Sequence, residues 1–163
     1  MTTATAETTI RAAIKTAIET VTDAGTCHDY LRWAVDYTTF LNFFKTTVSN
    51  KAVIRGSTIT CERMPQSTDD GDGASYGERN TGNVQSFGYR VRYYHGLDDS
   101  AASEKTALGK VLAMVDALDV ATTTVDTSAY LWGPASLEIF EPRQFGNVLC
   151  HYGEIAVTVK RFT

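Results

Sequence analysis

Val84-Gln-Ser-Phe-Gly-Tyr-Arg-Val-Arg-Tyr-Tyr-His95 is the stretch whose reading decides the fold. Phe87, Tyr89, Val91 and Tyr93 alternate with Arg90 and Arg92. That is the period of two expected of a strand with one buried face. The segment is predicted as a strand, aromatic on its core face and charged on the other. The rest of the chain has to supply its partner strands and the layer that covers them.

Upstream of it, Met64–Asn83 (MPQSTDDGDGASYGERNTGN) has no hydrophobic period and is dense in Gly, Asp, Asn and Ser. It is predicted as an extended loop. Long loops inside a compact domain are uncommon, and are mostly binding loops, lids or linkers. Gly-rich backbone carries high entropy, so ordering such a loop requires something to hold it. Before the loop, Lys51–Arg63 (KAVIRGSTITCER) is β-rich, with Gly56 predicted as a bulge or bend. Cys27–Trp33 has no single period, but Leu31, Trp33 and Val35 alternate as in a strand, and a short strand is predicted there. Tyr37, Phe40, Leu41 and Phe44 then follow a helical period, predicting a short helix from about Asp36 to Lys45. At the N-terminus, Ile10, Ala13, Ile14, Ala17, Ile18 and Val21 predict an amphipathic helix over Thr9–Val21. Asp23-Ala-Gly25 offers its stop, with Gly25 free to take a left-handed cap.

Downstream, Gly96-Leu-Asp-Asp-Ser100 reads as a turn into a helix, with Ser100 as N-cap and Asp98 and Asp99 at the positive helix end. The helix is predicted to run to Leu118 with a stripe of Leu108, Val111, Leu112, Val115 and Leu118. Ser136–Phe140 is predicted as a short strand. Val148–Phe162 is predicted as a long one, bulged at Gly153, with Ile155, Val157 and Val159 opposite Glu154, Thr158 and Lys160. The order α-β-α-β-β-α-β-β predicts an α+β domain: an antiparallel or mixed sheet with two main helices on one face. One domain covers residues 1–163, with no internal repeat.

Composition agrees with a globular domain, at 43% hydrophobic and 21% charged residues. A net charge of −4 argues against a general nucleic-acid binder, which carries a basic patch. The N-terminus lacks the basic-then-apolar pattern of a secretory signal, and no run has the length of a membrane helix. Cys27, Cys61 and Cys150 form no CxxC, and are read as reduced thiols of a protein made in cytosol.

Cys27-His28 and Cys150-His151, with Cys61 and His95, invite a zinc site. Neighbours on a strand point to opposite faces, so neither dipeptide readily gives one ion two ligands. The closely spaced ligand pairs of structural zinc are missing. No nucleophile elbow or helix-start cysteine supports a hydrolase. Asp69, Asp70 and Asp72 lack the alternation of a calcium loop, which Ala74 breaks. The aromatic strand resembles an RNA-recognition strand but has Gln85-Ser86 and Arg90 at the defining positions. There is no P-loop and no GxGxxG. No catalytic, metal or cofactor-binding residues are assigned, and the chain is not read as an enzyme.

Taken in order, several stretches resemble the bacteriophage tail terminator (tail completion, minor tail protein) family. They are the N-terminal helix and Trp33–Phe44 running into Ile54-Arg55-Gly56. Next come Tyr89–Tyr93 ending in His95-Gly96-Leu97-Asp98-Asp99, the Ser103-Glu104 helix, and Gly146–Tyr152 running into Ile155–Val159. The departures are Ser57-Thr58, where a Trp is expected, and the long loop. The resemblance implies a homo-oligomeric ring, usually a hexamer, located in the tail or neck of a virion. It implies contacts with the tail tube protein, a neck connector protein and, in contractile tails, sheath protein. DNA would pass through the lumen without specific binding. Such a ring stops tube growth and is not an enzyme. Another head–tail connector protein or a small nucleic-acid-binding domain are the alternative readings. On the terminator reading, Met64–Asn83 is a contact arm, with Asp69, Asp70, Asp72, Tyr76, Glu78 and Arg79 as candidate interaction residues.

Overall fold

The computed structural model describes residues 3–68, 84–98, 102–120, 130–145 and 147–162. Helix α1 spans Thr3–Glu19 and strand β1 spans Thr26–His28, followed by helix α2 at Tyr37–Asn42 and strand β2 at Lys45–Val48. Strands β3 (Lys51–Thr68) and β4 (Val84–Gly96) form the central hairpin. Helix α3 (Ser103–Val120) precedes strands β5 (Tyr130–Trp132), β6 (Ser136–Phe145) and β7 (Val148–Phe162).

Together they make one mixed sheet of the predicted α+β class. Its path is β1-β3-β4-β7-β5, with β2 also paired to β3 and β6 also paired to β7. Among the described strands only β1 runs parallel to its neighbour. The strand that decided the fold lies at the centre, paired along its whole length to β7 from Val84↔Phe162 to Gly96↔Cys150. Register then fixes the faces. Phe87, Tyr89, Val91 and Tyr93 sit opposite Val159, Val157, Ile155 and Gly153 and are all buried under α1 and α3. Arg90, Arg92 and Tyr94 face the other way, beside Ala156, Glu154 and Tyr152.

α1 begins and ends earlier than the predicted Thr9–Val21, and buries Ala6, Ile10, Ile14, Ala17 and Ile18. Gly25 does have positive φ (86°), but Asp23 takes a left-handed conformation before it (56°), nearer the helix end. The predicted alternation at Leu31, Trp33 and Val35 makes no strand. The chain bends at Asp29-Tyr30 and leaves the sheet edge, and Trp33 is 80% exposed. Alternation makes a strand only where an edge is there to pair with. α2 lies within the predicted Asp36–Lys45, started by Asp36, whose carboxylate accepts the Thr39 N–H at 2.8 Å. Lys45 belongs to β2 instead. β2 joins β3 through Ser49-Asn50, both at positive φ (50° and 63°), the two-residue turn whose twist matches a hairpin.

β3 continues to Thr68, so Met64–Thr68 is strand and the predicted loop begins later. Neither predicted glycine bulge exists. Register shifts fall instead at Cys61/Arg63, Arg63/Gln66 and Leu137/Ile139. Gly56 and Gly153 stay in register and answer to close approach. A Cβ on Gly56 would meet Phe44 Cδ1 at 2.8 Å, and one on Gly153 would meet Val111 Cγ2 at 2.9 Å. The stripe of α3 is also rotated from the prediction. Ala107, Val111, Met114 and Leu118 are buried, while Leu112 is 47% exposed. Ser100 and Asp99, the predicted cap residues, lie outside the described residues. β6 runs past the predicted Phe140 through Pro142, which an outer strand tolerates.

Candidate functional site

Aromatic density assembles a second, smaller core on the far face of the sheet. Six aromatics fall between Tyr30 and Phe44. α2 carries them back across the sheet, so that Phe44 packs on Tyr94 with ring centroids 4.7 Å apart and on Phe40 at 5.2 Å. Tyr94 meets Phe145 at 5.3 Å and Tyr152 at 5.5 Å. Phe44, Tyr94 and Tyr152 are buried, and Phe40, Phe43, Ile54, Ile139 and Phe145 pack around them.

Over this cluster the extended segment 31–37 leaves a groove of about 620 Å³. Trp33, Val35 and Tyr37 form its open rim and are exposed. Guanidinium groups stand along it. Arg143 stacks over Tyr152 at 3.8 Å, and Arg32 over Phe43 at 3.8 Å, where the negative ring face attracts a cation. Arg92 completes the set. Asp36 is the acidic residue lining it. The groove is thus an apolar trough edged by guanidinium groups, of which Arg92 and Arg143 already hold carboxylate partners.

Beside the groove, charges on the same face hold one another. Arg90 bonds Glu62 at 2.8 Å and Glu154 at 2.7 Å, and Arg92 bonds Thr60 at 2.7 Å and also Glu62. The Tyr152 hydroxyl donates to Glu154. Burial pushes the Glu62 carboxyl up, but the Arg90 and Arg92 bonds and charges outweigh it and hold it below its ordinary value. Burial raises the Tyr94 and Tyr152 phenols. These groups are held as ion pairs and hydrogen bonds on the face of the sheet beside the groove.

A third cluster lies under the start of α3. Ser103 Oγ accepts the Asp98 N–H at 2.8 Å and shares a 2.9 Å hydrogen bond with His151 Nε2, which ties the helix start to β7. His95 Nδ1 shares a 3.0 Å hydrogen bond with the Tyr93 hydroxyl.

Alternation does separate the members of the first Cys-His pair. Cys27 is buried in the main core, while His28 Nε2 lies 3.0 Å from the Phe43 carbonyl on the other face. Burial pushes the Cys27 and Cys150 thiols up to about 11, far from thiolate character at neutral pH. Among the described residues no group of three or more His, Cys, Asp or Glu is placed to hold a metal ion. Phe87, Tyr89 and Tyr93 are buried beneath the helices and offer bases no stacking surface.

No family model matches the chain, and no curated protein matches it in sequence.

The predicted interaction residues Asp69, Asp70, Asp72, Tyr76, Glu78 and Arg79 lie outside the described residues. The groove residues Arg32, Trp33, Val35, Tyr37, Arg143 and Phe145 were not singled out from the sequence as a site. The available signal was a run of large apolar side chains, Tyr30 to Tyr37, alternating without a partner strand.

Proposed function

We propose that this chain is a structural virion protein of the tail terminator type. Its copies close into a ring, hexameric by the family resemblance, that caps a phage tail tube and joins it to the neck. The observation that carries the reading is the exposed apolar rim of Trp33, Val35 and Tyr37 above a groove. A contiguous apolar surface with a polar border is a surface for another protein. The α+β fold with helices on one face and a separate groove on the other gives a subunit two unlike surfaces, as a closed ring requires. A nucleic-acid-binding reading through the aromatic strand loses its support, since those rings are in the core. The test is to mix the purified protein with polymerising tail tube protein from the same phage. Rings of uniform diameter by negative stain, and tubes capped at one end that stop growing, are expected. A strict monomer that leaves tube growth unchanged overturns the reading.

A further inference from the structure

We propose that Arg55, His95 and His151, standing in one row across the sheet, hold a small doubly charged oxyanion of the sulfate or phosphate class. Nothing in this site depends on the ring reading above.

Register places the three side chains. Arg55 on β3 is paired with His95 on β4, which is paired with His151 on β7. They keep the alternation of Ile59, Val91 and Ile155, and so belong to the helix-covered face. The two imidazole rings lie 6.3 Å apart, and the Tyr93 hydroxyl shares a 3.0 Å hydrogen bond with His95 Nδ1. α3 reaches the row through Ser103, bonded to His151 Nε2, and through Lys110, whose ammonium bonds the Thr22 carbonyl at 2.7 Å. Gly25 packs against Arg55 so closely that a Cβ there would lie 2.0 Å from the Arg55 carbonyl oxygen. Leu97 and Leu149, next along the same face, are exposed, so the row lies at an open end of the sheet. His95 and His151 are themselves buried, so an occupant has to be small.

Charge in this row is uncompensated. The groups whose charge acts on His95 are Arg55, His151 and Lys110, with no carboxylate among them. Like charges directly across a sheet oppose folding. Elsewhere Arg11, Arg90, Arg92 and Arg143 each hold a carboxylate. Arg55 has no ion pair and no side-chain hydrogen bond among the described residues, and its Nε is buried without an acceptor. A buried charged donor left without an acceptor is costly, and native structures supply one. A tetrahedral dianion meets both needs. Its oxygens can serve the guanidinium fork and the imidazole N–H groups together, and its two charges offset those of Arg55 and Lys110. Water would satisfy the Nε and leave the charge uncompensated.

The experiment follows the histidine ring resonances of the full-length chain by NMR while sodium sulfate replaces sodium chloride at constant ionic strength. Sulfate keeps both charges throughout the range used. At pH 7 the His95 and His151 resonances are expected to shift and saturate, while those of His28, on the opposite face, stay still. At pH 5 half-saturation is expected at about three-fold lower sulfate, because the bound dianion draws a proton onto His95. Arg55→Met is expected to weaken binding about ten-fold or more, as loss of charge-assisted hydrogen bonds does. Lys160→Gln, which removes an exposed cation at the far end of β7, is expected to leave it as it was. Unchanged near-ultraviolet dichroism from the buried Trp132 checks that each variant is folded. A response that never saturates, or one that is equal in Arg55→Met, shows salt screening alone and overturns the proposal. No shift up to about 0.1 M sulfate, weaker than millimolar binding, overturns it as well and leaves water as the partner of the Arg55 Nε.

Discussion

His95 shows how one side chain ties stability to pH. It is 3% exposed, and burial, with the Arg55, His151 and Lys110 charges adding to it, pushes its pKa from 6.5 down to about 4. The unfolded chain therefore binds the proton first, and stability is full above about pH 6.5 and falls as pH drops toward 4. Urea midpoints are expected to report a loss of about 2 kcal/mol between pH 7.5 and pH 5, most of it absent in His95→Asn. An unaltered slope in that variant would show that another group carries the effect. On the far face, Glu154 is more deeply buried than Glu62, although both bond Arg90. Glu154→Ala is expected to cost about 2 kcal/mol, since Glu154 also accepts from the buried Tyr152 hydroxyl, and Glu62→Ala about 1 kcal/mol or less; Arg90 and Arg92 keep one carboxylate in either variant. Equal losses in denaturant unfolding would contradict that ranking. The residue scale was legible wherever alternation alone decides, as in the split of Cys27 from His28. The arginine partners of Glu154 were not, because they come from β4, far away in sequence.

At the scale of elements, strong periodicity was read correctly and phase was not. α3 offers two rows at helical spacing, and ranking by size favours the leucines. The core instead takes Ala107, Val111, Met114 and Leu118, with Val111 seated against Gly153, where a Cβ would meet its Cγ2 at 2.9 Å. Met114→Ala is expected to cost about 3 kcal/mol in thermal or urea unfolding, and Leu112→Ala less than about 1 kcal/mol. The reverse order would restore the predicted stripe. β2 and β5 escaped the reading because four and three residues are too few to show a period. The groove escaped it because nothing in Tyr30–Tyr37 states that the chain will leave the sheet and expose its apolar side chains.

At the scale of the whole molecule, the described residues form two cores, one on each face of the sheet. The larger joins α1 and α3 to the central strands, and the smaller is the aromatic cluster under α2. Cores of unequal size open separately, the smaller with the lower free energy. Native-state hydrogen exchange is expected to show α2 and β2 amides opening at least about 2 kcal/mol below those of Val91 and Ile155. Uniform protection would mean that the faces unfold as one body. The outer strands carry a further consequence. β1, β2 and β5 are short, and β6 has a register shift, Pro142, Glu138, Glu141 and Arg143. These are the features that discourage strand-to-strand addition between molecules. On the ring reading proposed above, copies would meet through side chains and not through shared backbone ladders, and a subunit seated wrongly could leave its neighbour and be exchanged for another, so that errors of association stay correctable.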